Sequence, residues 1–90
     1  MALRLLRLPE VSVKLGLRTT AIYDRIKQGV LTPPVRLTAR SRAWPEHEID
    51  AIVGAHIAGD ADDEIRALVQ DLVAQRKQHS ARRTHRDNRS

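Results

Sequence analysis

Residues 8–29 read LPEVSVKLGLRTTAIYDRIKQG, and this stretch decides the fold. Pro9 suits the first turn of a helix, because its missing N–H has no helical partner there in any case. Apolar residues then recur at helical spacing up to Leu15. Gly16 is the kind of residue that ends a helix in the left-handed conformation. The first part of the stretch therefore predicts a helix over residues 8–15.

The second part of the stretch predicts another helix, over about residues 19–28. Isoleucines at positions 22 and 26 give it one apolar side, and Gly29 supplies a second stop. A hydroxyl from Thr19 or Thr20 is expected to cap it. Two short helices joined by a few residues with a glycine predict a helix-turn-helix.

Outward from this pair, residues 32–34 (TPP) exclude helix. Residues 35–44 then alternate apolar and polar around a small polar turn, which predicts a β-hairpin. Trp44 is expected in the core, where its indole N–H needs a hydrogen-bond partner. The hairpin carries three arginines that alternation or the turn places outward: Arg36, Arg40 and Arg42.

Two further helices follow the hairpin. The third is expected to start at Pro45, where Glu46, Glu48 and Asp50 favour the positive end of a helix. Gly54 inside this helix suggests a close packing contact, since glycine weakens a helix interior. The fourth helix is expected over residues 60–79, with an apolar strip formed by Ile65, Leu68, Val69, Leu72 and Val73.

The predicted fold class is mainly α with a small β-hairpin, namely a winged helix-turn-helix plus a C-terminal helix. The expected division is residues 1–58 as the winged helix-turn-helix domain, 59–79 as the C-terminal helix and 80–90 as a disordered basic tail. The apolar strip of the fourth helix either folds back onto its own domain or meets a second copy of the chain.

Composition narrows the function classes. The net charge is +5 over 90 residues, and the charge is basic up to residue 57, acidic over 58–75 and basic again over 76–90. A small basic domain favours a nucleic acid or another anionic partner. Cysteine is absent, and the histidines (47, 56, 79 and 85) lack ligand spacing and are expected at the surface, so no metal site is predicted. No catalytic residues, cofactor, small-molecule substrate or membrane partner is expected, and a cytoplasmic protein is the prediction.

A helix-turn-helix lays its second helix in the DNA major groove. The candidate DNA-binding residues lie on that helix, at its start and on the hairpin: Arg18, Thr19, Thr20, Tyr23, Asp24, Lys27, Arg36, Arg40 and Arg42. Six of them have a plainer alternative. The hairpin arginines are also typical of an edge strand whose charges keep the protein soluble. Asp24 is alternatively a solvated acid, Tyr23 a core residue, and Arg18 a residue that serves only the turn.

Several separate motifs together resemble the AlpA family of small phage and prophage regulators, whose helix-turn-helix is related to the MerR and excisionase folds. They occur in order along about residues 7–58: 7–11 (RLPEV), 16–17 (GL), 22–23 (IY), 26–29 (IKQG), 33–37 (PPVRL), Arg40 and 44–50 (WPEHEID). The family's second helix usually opens with serine and a basic residue, and a basic residue often follows the tyrosine. Here Thr19 and Thr20 follow Arg18, and Asp24 follows Tyr23, so a different base sequence is expected.

The resemblance implies a sequence-specific regulator of a prophage or integrated element that binds double-stranded DNA at the bacterial nucleoid. One alternative within DNA binding is an excisionase-like architectural factor that bends DNA. Another, of a different class, is a protein-binding adaptor that uses the apolar strip of the fourth helix. A homodimer is left open, because two copies would read two half-sites. The arginines of the tail either add non-specific DNA affinity or take no part.

Overall fold

The computed structural model describes the backbone of residues 3–89 and the side chains of residues 3–79. Residues 3–89 form four helices and a small antiparallel sheet, which confirms the predicted fold class. The elements in chain order are β1 (Leu5–Leu6), α1 (Leu8–Leu15), α2 (Thr19–Gln28), β2 (Val35–Arg36), β3 (Arg42–Pro45), α3 (Glu46–Ile57) and α4 (Asp62–Arg89).

The helix-turn-helix formed by α1 and α2 has the predicted bounds. Pro9 lies in the first turn of α1, and Gly16 ends that helix at a φ of 67°, where its N–H donates to the Ser12 carbonyl over 2.8 Å. Gly29 ends α2 at a φ of 80°. Both stops need a left-handed residue, which glycine adopts without steric cost. Local signals therefore determine this part of the fold.

The sheet has the strand order β1-β3-β2, one strand more than the sequence predicted. Leu5 pairs with Pro45 and Leu6 with Trp44, both antiparallel. Strand β1 has only two residues, and its pairing with β3 places Leu6 in the core. Pro45 is the last residue of β3 and the N-cap of α3, so α3 starts one residue later than predicted.

The core is aliphatic around one indole. Trp44 is fully buried, and its Nε1–H donates to the Thr32 carbonyl over 3.0 Å, as predicted. Strand β1, the four helices and residues 30–31 contribute its other members: Leu6, Val11, Ile22, Val30, Leu31, Ile49, Ile52, Ala55, Ile65, Val69 and Leu72.

Helix α4 folds back on its own domain. Of its apolar strip, Ile65, Val69 and Leu72 are buried in the core, and Leu68 and Val73 pack against it. This position favours the fold-back alternative, because side chains buried within one chain leave little apolar surface for a second copy or an adaptor's partner. Homodimerisation stays a prediction and needs a different surface.

The far end of α4 differs from the expected boundary. The helix begins at Asp62, two residues late, and continues to Arg89 instead of ending at residue 79. Residues 80–89 contain neither glycine nor proline, so no local signal stops the helix. The predicted contribution of the tail arginines to DNA affinity concerns side chains outside the described residues. Among the described residues, no helix is long and apolar enough to cross a bilayer.

Two polar residues of α3 are placed differently from the sequence expectation. Glu48 is fully buried and pairs with Arg76 of α4, so its main role is an ion pair rather than stabilisation of the helix start. His47 is half-buried, with its ring centroid 5.6 Å from that of His79, so it is no surface residue. Both differences arise from contacts with α4, which lies far away in sequence.

A network of ion pairs joins β1, α1 and the start of α3 at the surface. Arg4 pairs with Glu10 and Glu46, and Lys14 pairs with Glu46 and Asp50. A hydrogen bond to Asp50, which has the larger effect, and another to Glu46 raise the pKa of Lys14 above its ordinary value. The cations of this surface are therefore already neutralised by neighbouring carboxylates.

Gly54 needs no close contact, contrary to the sequence expectation, because nothing lies within 4 Å of a Cβ added there. We expect Gly54→Ala to raise the free energy of unfolding by about 0.5–1 kcal/mol, since alanine is the better residue in an exposed helix interior. Urea denaturation followed by circular dichroism measures this. Gly29→Ala is the matched control and should destabilise the protein, because its φ is positive. If Gly54→Ala left the free energy of unfolding unchanged or lowered it, the open space at Gly54 would be contradicted.

Candidate nucleic-acid interface

Helix α2 has one buried side and one polar side. Ile22 is fully buried, and Ile26 packs partly against the core. The exposed side extends along the whole helix and includes Thr19, Thr20, Tyr23, Asp24 and Lys27. At 100° per residue, Thr20, Tyr23 and Lys27 form the middle of this side. The five side chains predicted to face DNA therefore share one accessible surface.

The start of α2 is electropositive. Arg18 is the N-cap, with extended backbone and without a side-chain capping hydrogen bond, so the prediction that Thr19 or Thr20 caps the helix is wrong. Both threonines lie inside the first turn, which contains no acidic residue. The first N–H groups of a helix have no helical partner and carry partial positive charge. The exposed Arg18 adds a full charge at the same end.

The hairpin of residues 35–45, here called the wing, presents its arginines outward. Val35 lies opposite Ala43, and Arg36 lies opposite Arg42. Ala43 is fully buried, and Arg36 and Arg42 are exposed. Residues directly opposite each other in an antiparallel pair share a face of the sheet. Two guanidinium groups therefore stand side by side on the outer face of the wing.

The turn of the wing is held by its own backbone. Leu37 and Thr38 donate their N–H groups to the Ser41 carbonyl, over 2.8 and 3.2 Å. The Arg40 N–H donates to the Thr38 Oγ1 atom over 3.2 Å. This geometry leaves the Arg40 side chain exposed at the tip of the wing. The tip is therefore ordered although its side chains are in solvent.

One open cleft of about 390 Å³ lies between the wing, α2 and the start of α1. The structure brings three predicted residues together there, Tyr23, Arg40 and Arg42. Tyr23 is 38% exposed, so it belongs to the surface rather than to the core. Arg7 is a fourth polar member of the cleft that the sequence analysis did not select. Its position just before Pro9 gave no sign that the wing would approach it.

The other six predicted residues do not line this cleft. Asp24 lines a separate groove with Arg25, Gln28 and Asp62. This groove faces the acidic start of α4, where Asp62, Asp63 and Glu64 occupy the first turn. The flank of α2 towards the wing therefore has arginines, whereas the flank towards α4 has acids beside Arg25.

Ion pairing separates the cations into two sets. Arg4, Lys14, Arg66 and Arg76 each pair with a carboxylate. Among residues 3–79, no ion pair involves the cations of α2 and the wing, which are Arg18, Arg25, Lys27, Arg36, Arg40 and Arg42. An uncompensated positive surface concentrates anions and steers them to it. Helix α2 and the wing therefore offer positive charge to a partner.

Comparison with known proteins identifies the family of the chain. The sequence profile of the family described as "Prophage CP4-57 regulatory protein (AlpA)" matches residues 4–53, more than half of the chain. The chain belongs to the AlpA family. The resemblance inferred from the sequence motifs is thereby confirmed, and the family is one of phage regulators.

A relative of this AlpA-family protein occurs in Enterobacteria phage P4, where it is described as "Uncharacterized protein ORF88". The two are 39% identical over 56 residues, which cover 62% of this chain and 64% of the relative. The alignment thus spans less than two thirds of the relative's length. No solved structure gives a significant match. The AlpA match includes all nine candidate DNA-binding residues, whereas α4 lies beyond it.

Proposed function

We propose that this AlpA-family protein is a sequence-specific, double-stranded DNA-binding transcriptional regulator of a prophage or integrated element. In this proposal α2 enters the major groove and the wing contacts the phosphate backbone. The observation that carries it is the cleft in which Tyr23 of α2 meets Arg40 and Arg42 of the wing, with neither arginine paired to a carboxylate. One surface thus combines an exposed helix, which the major groove can accept, with unpaired cations beside it.

The exposed side of α2 supplies the groups that base reading needs. The major groove is about 12 Å wide and accepts one helix. Threonine hydroxyls donate to or accept from base edges, lysine donates to guanine, and a carboxylate accepts from the cytosine amino group. Thr20, Asp24 and Lys27 provide these three chemistries within two turns of an exposed helix face. Thr19 and Arg18 lie at the helix start, where backbone N–H groups favour a phosphate.

The wing supplies the backbone contacts. Like charges directly opposite each other in a sheet are destabilising, and Arg36 lies opposite Arg42 without a compensating acid among the described residues. A phosphate placed between them would relieve this repulsion and form charge-assisted hydrogen bonds with both. Arg40 and Arg7 extend the same positive surface into the cleft. We infer that a DNA strand follows this path.

Selection from a pool of random-sequence duplexes tests the proposal. The purified protein is incubated with the pool at about 0.15 M salt, and the retained duplexes are sequenced. Enrichment of a defined motif is expected. Two half-sites about 10 base pairs apart would indicate a homodimer, and a single half-site a monomer. Retention without enrichment would reduce the protein to a non-specific polycation, and no retention would overturn DNA binding.

The selected motif also separates the regulator from the excisionase-like alternative. A circular-permutation gel on the selected site reports DNA bending. A straight complex is expected for the proposed regulator, whereas a large bend would favour an architectural role. The location of matching sites in the host genome, at promoters or at attachment sites, gives an independent answer.

Thr20→Val should relax the base preference at one position of the motif. The change removes the hydroxyl but keeps the branched shape, so a lost base contact is expected to cost about 1–3 kcal/mol of discrimination there. Repeating the selection with the variant measures this. Thr20→Ser keeps the hydroxyl and serves as the control with unchanged preference. The role of Thr20 fails if the valine variant selects the same motif with the same base frequencies.

A further inference from the structure

Two arginines of α4 bind the chain at the two ends of the segment that joins α2 to the wing. The Arg66 Nε–H donates to the carbonyl of Gln28, the last residue of α2, over 2.9 Å. The Arg76 Nη2–H donates to the Pro33 carbonyl over 2.7 Å. The two arginines are ten positions apart, which corresponds to about 15 Å along a helix. Residues 28–33 are therefore fastened to α4 at both ends, and we call them the connector.

The guanidinium group of Arg76 is itself fixed by a buried carboxylate. Its Nε–H and Nη2–H donate to the two carboxylate oxygens of Glu48, over 2.8 and 2.6 Å. Glu48 is fully buried, and the Arg76 side chain is 23% exposed. A bidentate pair of this kind has a defined geometry. The donor that holds Pro33 therefore has one position relative to α3.

The wing holds the connector from the other side. Trp44 of β3 donates to the Thr32 carbonyl, the neighbour of the Pro33 carbonyl that Arg76 binds. Val30, Leu31 and Thr32 between these points are buried. Two consecutive carbonyl groups are thus bound by the wing and by α4 respectively. The placement of the wing relative to α2 depends on this arrangement.

We propose that Arg66 and Arg76 are positioning residues, through which α4 sets the placement of α2 relative to the wing so that both reach DNA together. This inference rests on the proposed function. It assigns two basic residues of the chain to backbone carbonyls rather than to phosphates. Helix α4 is then a brace for the recognition surface, although it lies outside the segment that matches the family profile.

The proposal makes a distinctive prediction for DNA binding. A misplaced wing still attracts phosphate, so non-specific affinity and its salt dependence are retained. Groove and backbone contacts no longer form in the same register, so affinity for the selected motif falls. Loss of a direct phosphate contact would instead lower the salt slope, by about 0.9 per contact. Specificity and salt slope therefore separate the two roles.

The test uses the full chain and two variants. Arg76→Met alone leaves the Glu48 carboxylate buried without its partner, which is expected to unfold the protein. The double variant Glu48→Leu/Arg76→Met replaces the pair by apolar groups of similar volume, a change that buried ion pairs often tolerate. Pro33 then lacks its donor. Arg66→Met is the second variant, and Arg4→Met is the control that removes one paired surface cation outside α4.

Three measurements are made on each variant: thermal unfolding, affinity for the selected motif and for an unrelated duplex over a range of salt, and the NMR signal of the indole N–H. Trp44 is the single tryptophan, so this signal reports the Thr32 hydrogen bond without ambiguity. We expect folded variants whose ratio of specific to non-specific affinity falls about tenfold. Their salt slope should be unchanged and the indole signal of the double variant shifted, with Arg4→Met like the wild type.

Other results overturn the inference. An unchanged affinity ratio in folded variants would mean that the arginines only stabilise the fold. A reduced salt slope would mean that they bind phosphate directly. If the wild type selects no motif, the proposed function fails by itself. In that case the indole N–H signal alone tests whether α4 positions the connector. An unchanged chemical shift in the double variant would show that it does not.

Discussion

The Trp44→Ala variant is expected to lose about 4 kcal/mol of its free energy of unfolding. The indole is fully buried and lies among core residues contributed by α1, α3, α4 and the connector. Its removal leaves a cavity in this core, and the Thr32 carbonyl loses its donor. Small domains are stable by only about 5–15 kcal/mol. A large fraction of the variant is therefore expected to be unfolded at moderate temperature.

Urea denaturation followed by far-ultraviolet circular dichroism measures this loss, since the variant has no tryptophan fluorescence. Trp44→Phe keeps most of the packing but leaves the Thr32 carbonyl without its partner, so an intermediate loss of about 1–3 kcal/mol is expected. Tyr23→Ala is the aromatic control, because Tyr23 lies at the surface of the cleft. A loss below about 1 kcal/mol in Trp44→Ala would contradict the core described here.

Replacing Arg36, Arg40 and Arg42 together by alanine is expected to weaken DNA binding about 100-fold at 0.15 M salt, since each lost phosphate contact lowers log K by about 0.7 there. The slope of log K against log salt should fall by about 2.7 in magnitude. Affinity for the selected motif and for unrelated duplexes should fall by similar factors, because phosphate contacts carry no base information. Fluorescence anisotropy over a salt series measures both quantities.

Single substitutions provide the matched comparison. Arg40→Ala should remove about one third of the effect on the slope, that is about 0.9. Arg4→Ala removes the same charge from a guanidinium that already pairs with Glu10 and Glu46, so its slope should equal that of the wild type. The triple variant should remain folded, because it removes the opposition of Arg36 and Arg42. An unchanged slope in the folded triple variant would exclude the wing from DNA binding.

The parts of the fold that the sequence predicted are those with local signals. The bounds of α1 and α2 follow from Pro9, Gly16 and Gly29, each of which acts within one turn of its own position. The buried indole follows from the single tryptophan in a chain otherwise poor in aromatic residues. Strand β1 could not be predicted, because two leucines form a strand only through pairing with β3, about 40 positions away.

The buried ion pair escaped prediction for the same reason. Glu48 looks like one of three acids at a helix start, and Arg76 looks like a cation near a helix end. Only the fold-back of α4 brings them together. At the candidate interface, the exposed side of α2 and the outward position of the wing arginines could be predicted from the sequence pattern. Arg7 was not, since its cleft is formed by three elements that the sequence cannot place relative to one another.

The pairing of Glu48 with Arg76 also orders events during synthesis. The ribosome makes the helix-turn-helix and the wing first. Arg76, the partner of Glu48, is added 28 positions later. Until that point the carboxylate has no counterion for burial, and Ile49 and Ile52 lack the face of α4 that completes their core. The hydrogen bonds of Arg76 to Glu48 and Pro33 therefore form only late in translation. A proteolytic cut before residue 76 would separate Arg76 from the rest of the domain. Helix α2 would keep its sequence but lose the contacts by which α4 positions it.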